Sequence, residues 1–127
     1  MPKKILAIDD EPEMLSLVRL SLERGGYQIV TCESGSKAWD SIIAEKPDLL
    51  VLDVMLPGID GYSLQIKLSQ EEATKSLPVI VMTALEPSRT LFKKFPQVVG
   101  FMTKPFNPDE LLQKVESTIG KATEPAA

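Results

Sequence analysis

The stretch that decides the fold is Leu49-Leu50-Val51-Leu52-Asp53-Val54-Met55-Leu56-Pro57-Gly58. Four apolar residues lead without interruption to a carboxylate, and a Pro-Gly turn follows shortly afterwards. An unbroken apolar run is typical of a strand that is buried on both faces of a parallel sheet. A carboxylate at the end of such a strand costs free energy unless a partner binds it. Asp53 is therefore predicted to belong to a functional site.

The rest of the chain alternates apolar runs with segments of helical periodicity. Five strands are predicted, at residues 4–8, 27–32, 48–53, 77–83 and 98–103. Helices are predicted at residues 11–24, 35–46, 61–70, 88–95 and 108–119, the second capped by Ser34 and the last by Asn107. The second helix is expected to bury a stripe made of Ala38, Trp39, Ile42 and Ile43. These elements predict a doubly wound α/β domain, (βα)5, with a five-stranded parallel sheet covered on both faces. We take the flavodoxin-like strand order 2-1-3-4-5, in which strands one and three are neighbours, as the hypothesis for this sheet.

Length and composition indicate one soluble globular domain. The chain has 127 residues, of which 43% are hydrophobic, and we expect a domain at 1–121 with a short disordered tail at 122–127. No apolar run approaches the roughly 18–20 residues that a membrane span needs, and the N-terminus does not resemble a signal peptide. Cys32 is the only cysteine, so an internal disulfide is excluded and a cytoplasmic location is expected.

Charge and composition also exclude several functions. The net charge of −4 disfavours binding to a phosphate backbone, so no direct contact with nucleic acid is expected. Histidine is absent, which excludes Ser-His-Asp and Cys-His catalysis, histidine-bearing metal sites and a phosphohistidine within this chain. Any histidine in the mechanism must come from a partner.

Asp9 and Asp10 end the first apolar run, as Asp53 ends the third. If strands one and three are neighbours, the three carboxylates share a pocket, where their repulsion calls for a cation. Oxygen ligands select a hard cation, so the sequence predicts a Mg²⁺ site to which the backbone carbonyl of Met55 adds a ligand. The alternative is that Asp9 or Asp10 only caps the helix that starts at Glu11.

Lys104 closes the fifth strand and precedes Pro105-Phe106, a rigid dipeptide that fixes its position. At a strand end that faces acids, a lysine either neutralises them structurally or holds an anion bound to Asp53. Thr83 ends the fourth strand, and its hydroxyl is placed to donate to the same anion. Taken alone, Thr83 is equally an ordinary β-branched residue at a strand end.

Five short motifs occur in order along the chain. They are Ile8-Asp9-Asp10-Glu11, Leu52-Asp53-Val54-Met55-Leu56-Pro57, Asp60-Gly61, Met82-Thr83-Ala84 and Thr103-Lys104-Pro105-Phe106. Together they resemble the receiver domains of two-component response regulators, over about residues 3–120. Any one motif is weak, but five in order and at nearly the usual separations are specific.

The resemblance implies that Asp53 accepts a phosphoryl group from a phosphohistidine on a sensor histidine kinase or phosphotransfer protein. It further implies that Asp10, Asp53 and the carbonyl of Met55 hold Mg²⁺, and that Asp9 acts mainly through a bound water. Such a domain is a phosphoacceptor that contributes to its own phosphotransfer and dephosphorylation. It is not an enzyme that acts on other molecules.

The resemblance also implies a switch. Lys104 and the pair Thr83-Ala84 grip the attached phosphate, and the shift of the threonine lets the aromatic residue three positions before the lysine swing inward. That residue is Phe101, whose alternative role is core packing. A downstream protein partner would then bind the face formed by the fourth helix, the fifth strand and the last helix.

The segment 85–100 departs from the family pattern at this output face. Pro96-Gln97-Val98-Val99-Gly100 replaces the usual glycine-alanine-aspartate approach to strand five, and Phe101 lacks the hydroxyl of the commoner tyrosine. The predicted fourth helix is shortened by its proline and carries the basic residues Arg89, Lys93 and Lys94. These three form either an ordinary solvated face or a surface for an acidic partner.

Three alternatives to a phosphorylated receiver that acts alone bear on this sequence. The first is a pseudo-receiver, which acts as a constitutive interaction module without phosphorylation. The second is an aspartate-nucleophile phosphatase, which needs an acid two positions after the nucleophile, where this chain has Met55. The third is that the chain is the receiver fragment of a larger regulator.

Overall fold

The computed structural model describes residues 2–53, 61–83, 92–104 and 106–121, and describes the backbone alone of Gly61 and Thr83. Its strands are β1 (Lys4–Ile8), β2 (Gln28–Cys32), β3 (Leu49–Asp53), β4 (Val79–Thr83) and β5 (Val98–Thr103). Its helices are α1 (Pro12–Glu23), α2 (Ala38–Glu45), α3 (Gly61–Gln70) and α4 (Pro108–Ile119). None of the helices in these ranges has the length and apolarity that a bilayer span requires.

The described strands form one parallel sheet in the order β2-β1-β3-β4-β5, which confirms the predicted fold class and strand order. Near its carboxyl edge, Ile8 pairs with Cys32 on one side and with Leu52 on the other. The carboxyl ends of β1 and β3 are therefore neighbours. The residues that follow these two pairing positions, Asp9 and Asp53, are brought to the same edge.

Both faces of the sheet are covered, as the unbroken apolar strands predict. What we call the first core packs one face against α1 and α4 and includes Ala7, Val18, Val51, Met82, Met102 and Leu111. The second core packs the other face against α2 and α3 and includes Leu6, Ile42, Leu52, Leu64, Val79 and Val81. Burial of each large side chain contributes roughly 1.5–3 kcal/mol.

The last helix begins where the sequence predicts. The side-chain Oδ1 of Asn107 accepts hydrogen bonds from the backbone N–H groups of Asp109 and Glu110, at 2.8 Å and 3.3 Å. Pro108 follows at the first helical position, where the absence of an N–H costs nothing. Asn107 therefore fixes the start of α4.

The start of the second helix was predicted wrongly. Ser34 does not cap it, because a 3₁₀ turn at Gly35–Lys37 comes first and the Ser34 hydroxyl lies 2.8 Å from the hydroxyl of Ser36. The helix proper spans only Ala38–Glu45, and Ile43 is 39% exposed although it was expected in the buried stripe. The helix is short and meets the core along a narrow face centred on Ile42, which is buried.

Smaller differences concern the ends of elements. Residues 84–91, which hold most of the predicted helix at 88–95, lie outside the described residues, as does the predicted tail at 122–127. Phe92 is the last helical residue of that segment, and a turn closes where the N–H of Phe95 donates to the carbonyl of Phe92 at 3.2 Å. Lys93 and Lys94 thus lie in a turn and not in a helix as predicted.

Candidate functional site

Three strands bring ionisable side chains to one place at the carboxyl edge of the sheet. Side chains alternate between the two faces of a strand, so residues two positions apart share a face. The first-core residues that set this alternation are Ala7, Val51 and Met102. Two positions after them come Asp9, Asp53 and Lys104, all on the side of the sheet covered by α1 and α4.

The amine of Lys104 lies at the centre of the site. Its Nζ is 2.8 Å from Asp9 Oδ2, 3.0 Å from Asp53 Oδ2 and 3.1 Å from Glu11 Oε1. Only 12% of the lysine side chain is exposed, and the two aspartates are buried. The expectation that Lys104 faces the acids is met, and one ammonium group serves three carboxylates.

Glu11 is a member of this group that the sequence reasoning gave no role beyond the start of the helix. Its side chain is 58% exposed, yet its carboxylate reaches back over the site to Lys104. The available signal was an acid directly after the pair Asp9-Asp10. Its contact with a lysine 93 positions away is visible only in the fold.

Asp9 has two roles at once. Its Oδ1 accepts a hydrogen bond from the backbone N–H of Glu11, the residue just before α1, at 2.9 Å. Its Oδ2 is fully buried and, although 2.8 Å from the Lys104 amine, lacks the geometry of a hydrogen bond to any described residue. That oxygen is therefore held chiefly by the charge of the lysine amine.

The electrostatics of the site are those of crowded acids. Burial raises the pKa of Asp9 to about 6; the contacts with Lys104 and the Glu11 N–H oppose this, and repulsion from Asp53 adds to it. Burial alone would lower the pKa of Lys104, but its contacts with Asp9 and Asp53 outweigh that cost and raise the pKa above its usual range. The lysine stays charged, whereas burial and mutual repulsion make it unfavourable for every carboxylate of the site to be ionised at once.

The donor set fits a hard divalent cation. Asp9, Asp10, Glu11 and Asp53 each offer a carboxylate oxygen, and these oxygens lie within 4.8 Å of one another. Asp10 and Glu11 are exposed, so water can complete the coordination of a small ion. Among the described residues, three of these four acids contact the single amine of Lys104, which leaves negative charge for a cation such as Mg²⁺ to balance.

The remaining predicted site residues are placed only in part. Met55, Ala84 and Pro105 lie outside the described residues. Thr83 is the last residue of β4 and pairs with Thr103 of β5, so its backbone stands at the same edge of the sheet as the acids. Phe101 is partly buried against the second core, on the opposite face of the sheet from Lys104.

Comparison with known proteins gives the chain a family. The family model described as "Response regulator receiver domain" matches residues 5–116. The chain belongs to the response regulator receiver domain family. The resemblance carried by the five sequence motifs is thereby confirmed.

Curated relatives and solved structures agree with this assignment. The alkaline phosphatase synthesis transcriptional regulatory protein PhoP of Bacillus subtilis is 36% identical over 129 aligned residues, which cover 96% of this chain and 50% of PhoP. The receiver chain thus spans about half the length of the curated relatives it matches. A protein from Chloroflexus aurantiacus described as a response regulator has a TM-score of 0.87 and 31% identity, covering 95% of this chain and all of that one.

A second solved structure bears on the acidic cluster. The response regulator protein TrrA of Thermotoga maritima, in complex with Mg(2+)-BeF, is 32% identical with a TM-score of 0.79, covering 91% of this chain and 97% of that one. Receiver domains are the phosphoacceptor modules of two-component systems and bind Mg²⁺ at an acidic pocket. The cluster around Asp9 and Asp53 has the composition of such a pocket.

Proposed function

We propose that Asp53 accepts a phosphoryl group from a phosphohistidine on a sensor histidine kinase or a histidine phosphotransfer protein. One observation carries this proposal: Asp53 is only 3% exposed, and its carboxylate lies 3.0 Å from the amine of Lys104, within the acidic cluster at the carboxyl edge of the sheet. In open α/β sheets, ligands bind at this edge, where the strand order reverses between β1 and β3.

The transfer needs little from the protein beyond position and charge. A carboxylate oxygen of Asp53 forms a bond to phosphorus, the bond between phosphorus and the donor imidazole breaks, and the imidazole leaves with the electron pair. Lys104 is already ionised beside Asp53, so it stabilises the negative charge on the phosphoryl oxygens without a change of protonation. To do so it exchanges contacts with Asp9 and Glu11 for contacts with the phosphoryl group.

We assign the metal site as Asp10, Asp53 and the carbonyl of Met55, with Asp9 acting through a bound water. Mg²⁺ bound there supplies positive charge that offsets the phosphoryl oxygens and the crowded acids. The buried Asp9 oxygen without a hydrogen bond and the raised pKa of Asp9 both support a cation at this place. Asp10 is exposed and is thus free to turn toward an ion.

The output of the proposed switch passes through β5. Thr83 and Ala84 would contact the phosphoryl group together with Lys104, and Pro105 would hold the lysine in place. Phe101 lies three residues before Lys104 on β5 and is only partly buried, which leaves room for a change of packing. A downstream protein would read this change on the face formed by the segment 88–95, β5 and α4.

The rest of the proposal concerns context. We propose that residues 1–121 act as one domain in the cytoplasm and signal through protein contacts, without binding nucleic acid themselves. The curated relatives include transcriptional regulators about twice as long as the chain. A receiver fragment of such a regulator therefore remains the second candidate for the context in which this chain works.

The test is phosphorylation by a small donor. Incubated with acetyl phosphate and Mg²⁺, the wild-type chain should gain the mass of one phosphoryl group, whereas Asp53→Asn should gain none. Asp40→Asn, which changes an exposed aspartate on α2, is the matched control and should behave as wild type. A wild-type chain that gains no mass would overturn the proposal and favour a pseudo-receiver. An Asp53→Asn variant that gains as much as wild type would overturn it by showing that another residue accepts the phosphoryl group.

A further inference from the structure

A buried network of neutral polar side chains joins α3 to the segments that lead into β4 and β5. Gln65 and Thr74 are almost completely buried, and Gln97 is 8% exposed. The side-chain amide of Gln97 donates to the backbone carbonyls of Thr74 and Leu77, at 3.0 Å and 2.8 Å. Gln97 belongs to the segment in which this chain departs from its family, so the departure carries a specific set of contacts.

The orientation of both amides follows from these contacts. If the Gln97 amide were turned over, its oxygen would face two carbonyl oxygens, so its nitrogen must face them. Its Oε1 therefore accepts from Gln65 Nε2, at 2.9 Å. Gln65 Oε1 is then left buried without a hydrogen bond to any described residue. An unsatisfied buried acceptor costs free energy, and here the other hydrogen bonds of the network fix the orientation that leaves it unsatisfied.

Gln97 stands immediately before an irregularity in the pairing of β5 with β4. The N–H of Val79 donates to the carbonyl of Gln97 at 2.8 Å, and Val79 pairs with Val98. The next residue of β4, Ile80, pairs with Gly100, so Val99 is an extra residue on β5. An extra residue of this kind is a β-bulge.

The bulge reverses the facing of every later residue on β5. Val98 and Phe101 both pack against the second core although they are three positions apart, while Val99 and Met102 pack against the first core. If side chains alternated strictly from Val98 onward, the side chain of Lys104 would lie on the second-core face of the sheet, away from Asp53. Because of the bulge, it lies on the first-core face and reaches the aspartate.

We propose that Gln97 is a positioning residue that holds β5 in this bulged register and so places Lys104 against Asp53. Gln97 comes immediately before β5, two residues ahead of the extra residue Val99. Its side-chain amide donates to two backbone carbonyls that precede β4 and so ties the start of β5 to the start of β4. Its importance for phosphorylation rests on the role proposed above for Lys104. Its effect on the register of β5 can be measured without any phosphodonor.

The main variant is Gln97→Leu, which keeps a similar volume and removes the amide. We expect the rate of phosphorylation by acetyl phosphate to fall about tenfold, the factor that corresponds to losing one or two net hydrogen bonds. Mg²⁺ affinity should stay within about twofold, because the acids lie on β1, β3 and the start of α1, away from the network. Amide hydrogen exchange should accelerate at Phe101 and Thr103 on β5 but not on β1.

Two further variants keep the test decisive. Gln65→Leu removes one bond of the network and leaves the two backbone contacts of Gln97, so it should have a smaller effect of the same kind even if Gln97→Leu does not fold. Ser21→Ala removes a buried hydroxyl that donates to the Leu17 carbonyl at 2.6 Å in α1, and serves as a control for general loss of stability.

The outcomes separate the two proposals. Unchanged amide exchange of β5 in both glutamine variants would overturn the role of Gln97. The role would also be overturned if the glutamine variants lost Mg²⁺ affinity and phosphorylation rate in parallel and Ser21→Ala did the same. Faster exchange confined to β5 supports the register assignment. If that result came with a wild-type chain that takes up no phosphoryl group, the proposed function would fail while the register assignment stood.

Discussion

Two regions of this receiver domain bury polar side chains, and they do so in opposite ways. At the carboxyl edge of the sheet, Asp9 and Asp53 share one lysine, and burial raises the pKa of Asp9 to about 6. Ahead of β4 and β5, the neutral network of Gln65, Thr74 and Gln97 satisfies its groups almost completely with amides and backbone carbonyls. The first region has unbalanced charge, whereas the second carries no charge and leaves only Gln65 Oε1 buried without a hydrogen bond to a described residue.

The difference indicates what each region is for. A satisfied neutral network holds one geometry and gains little from a ligand. A buried group of acids with too few cations gains free energy when a cation arrives, so its geometry and protonation depend on what is bound. The neutral network fixes the position of β5, whereas the geometry and protonation of the charged cluster change when a cation binds.

The strongest way to break this comparison is to remove the shared charge. Lys104→Met keeps the aliphatic stem but leaves Asp9 and Asp53 buried without a counter-charge, so the metal-free protein should lose about 3 kcal/mol of unfolding free energy. Mg²⁺ should restore much of that loss and should bind at least as tightly as to wild type. Urea unfolding with and without Mg²⁺ measures both effects.

Lys75→Met is the matched control. In the wild-type chain the amine of Lys75 lies 3.0 Å from the carboxylate of Glu72, and the Lys75 side chain is half exposed at the surface. The variant should change the unfolding free energy by less than about 0.5 kcal/mol. Equal losses in the two lysine variants would contradict the view that charge is unbalanced only at the buried site.

A second test uses pH. Mg²⁺ competes with the proton on Asp9, whose pKa is about 6, so Mg²⁺ binding should weaken about tenfold between roughly pH 7.5 and pH 5. Without Mg²⁺ the sign reverses: the folded state takes up the proton near pH 6 and the unfolded state near 3.8, so stability should rise as pH falls through this window. Calorimetric titration and urea unfolding across this range measure the two trends.

Asp9→Asn sharpens this test, because the difference between wild type and variant isolates one carboxyl group from the others in the cluster. Both pH trends should be much weaker in the variant. A variant that keeps the full wild-type pH dependence would show that another acid takes up the proton.

The smallest expected effect concerns the neutral network. Thr74→Val removes a buried hydroxyl that donates to the Leu68 carbonyl at 2.8 Å, so the protein should lose about 1 kcal/mol of unfolding free energy. Mg²⁺ affinity should not change, since this bond lies on the amino side of β4. If Mg²⁺ affinity fell along with stability, the two regions would not be separable.

Much of the site could be predicted from the sequence because strand ends are easy to locate. Apolar runs end at Ile8, Leu52 and Met102, and in a parallel sheet their carboxyl ends meet at one edge. That rule brings Asp9, Asp53 and Lys104 to one edge of the sheet, and the structure places the lysine amine 2.8 Å from Asp9 and 3.0 Å from Asp53. The strand order was a hypothesis taken from flavodoxin-like sheets, and the structure confirms it.

The parts that could not be predicted depend on contacts between distant segments. Gln97 was noticed only as a departure from the family, since its partners Gln65 and Thr74 lie more than twenty positions away. The bulge at Val99 leaves no signal in an apolar run that reads as an ordinary strand. Ser34 was misplaced because local patterns cannot tell a 3₁₀ turn from the first turn of an α-helix.

The most direct test of the central claim is to find the phosphorylated atom. After treatment with acetyl phosphate and Mg²⁺, borohydride reduces an aspartyl phosphate to homoserine, which mass spectrometry of peptides can place on the chain. The account predicts homoserine at position 53 in wild type and at no position in Asp53→Asn. Homoserine at Asp9, Asp10 or Asp48 with Asp53 intact would contradict it.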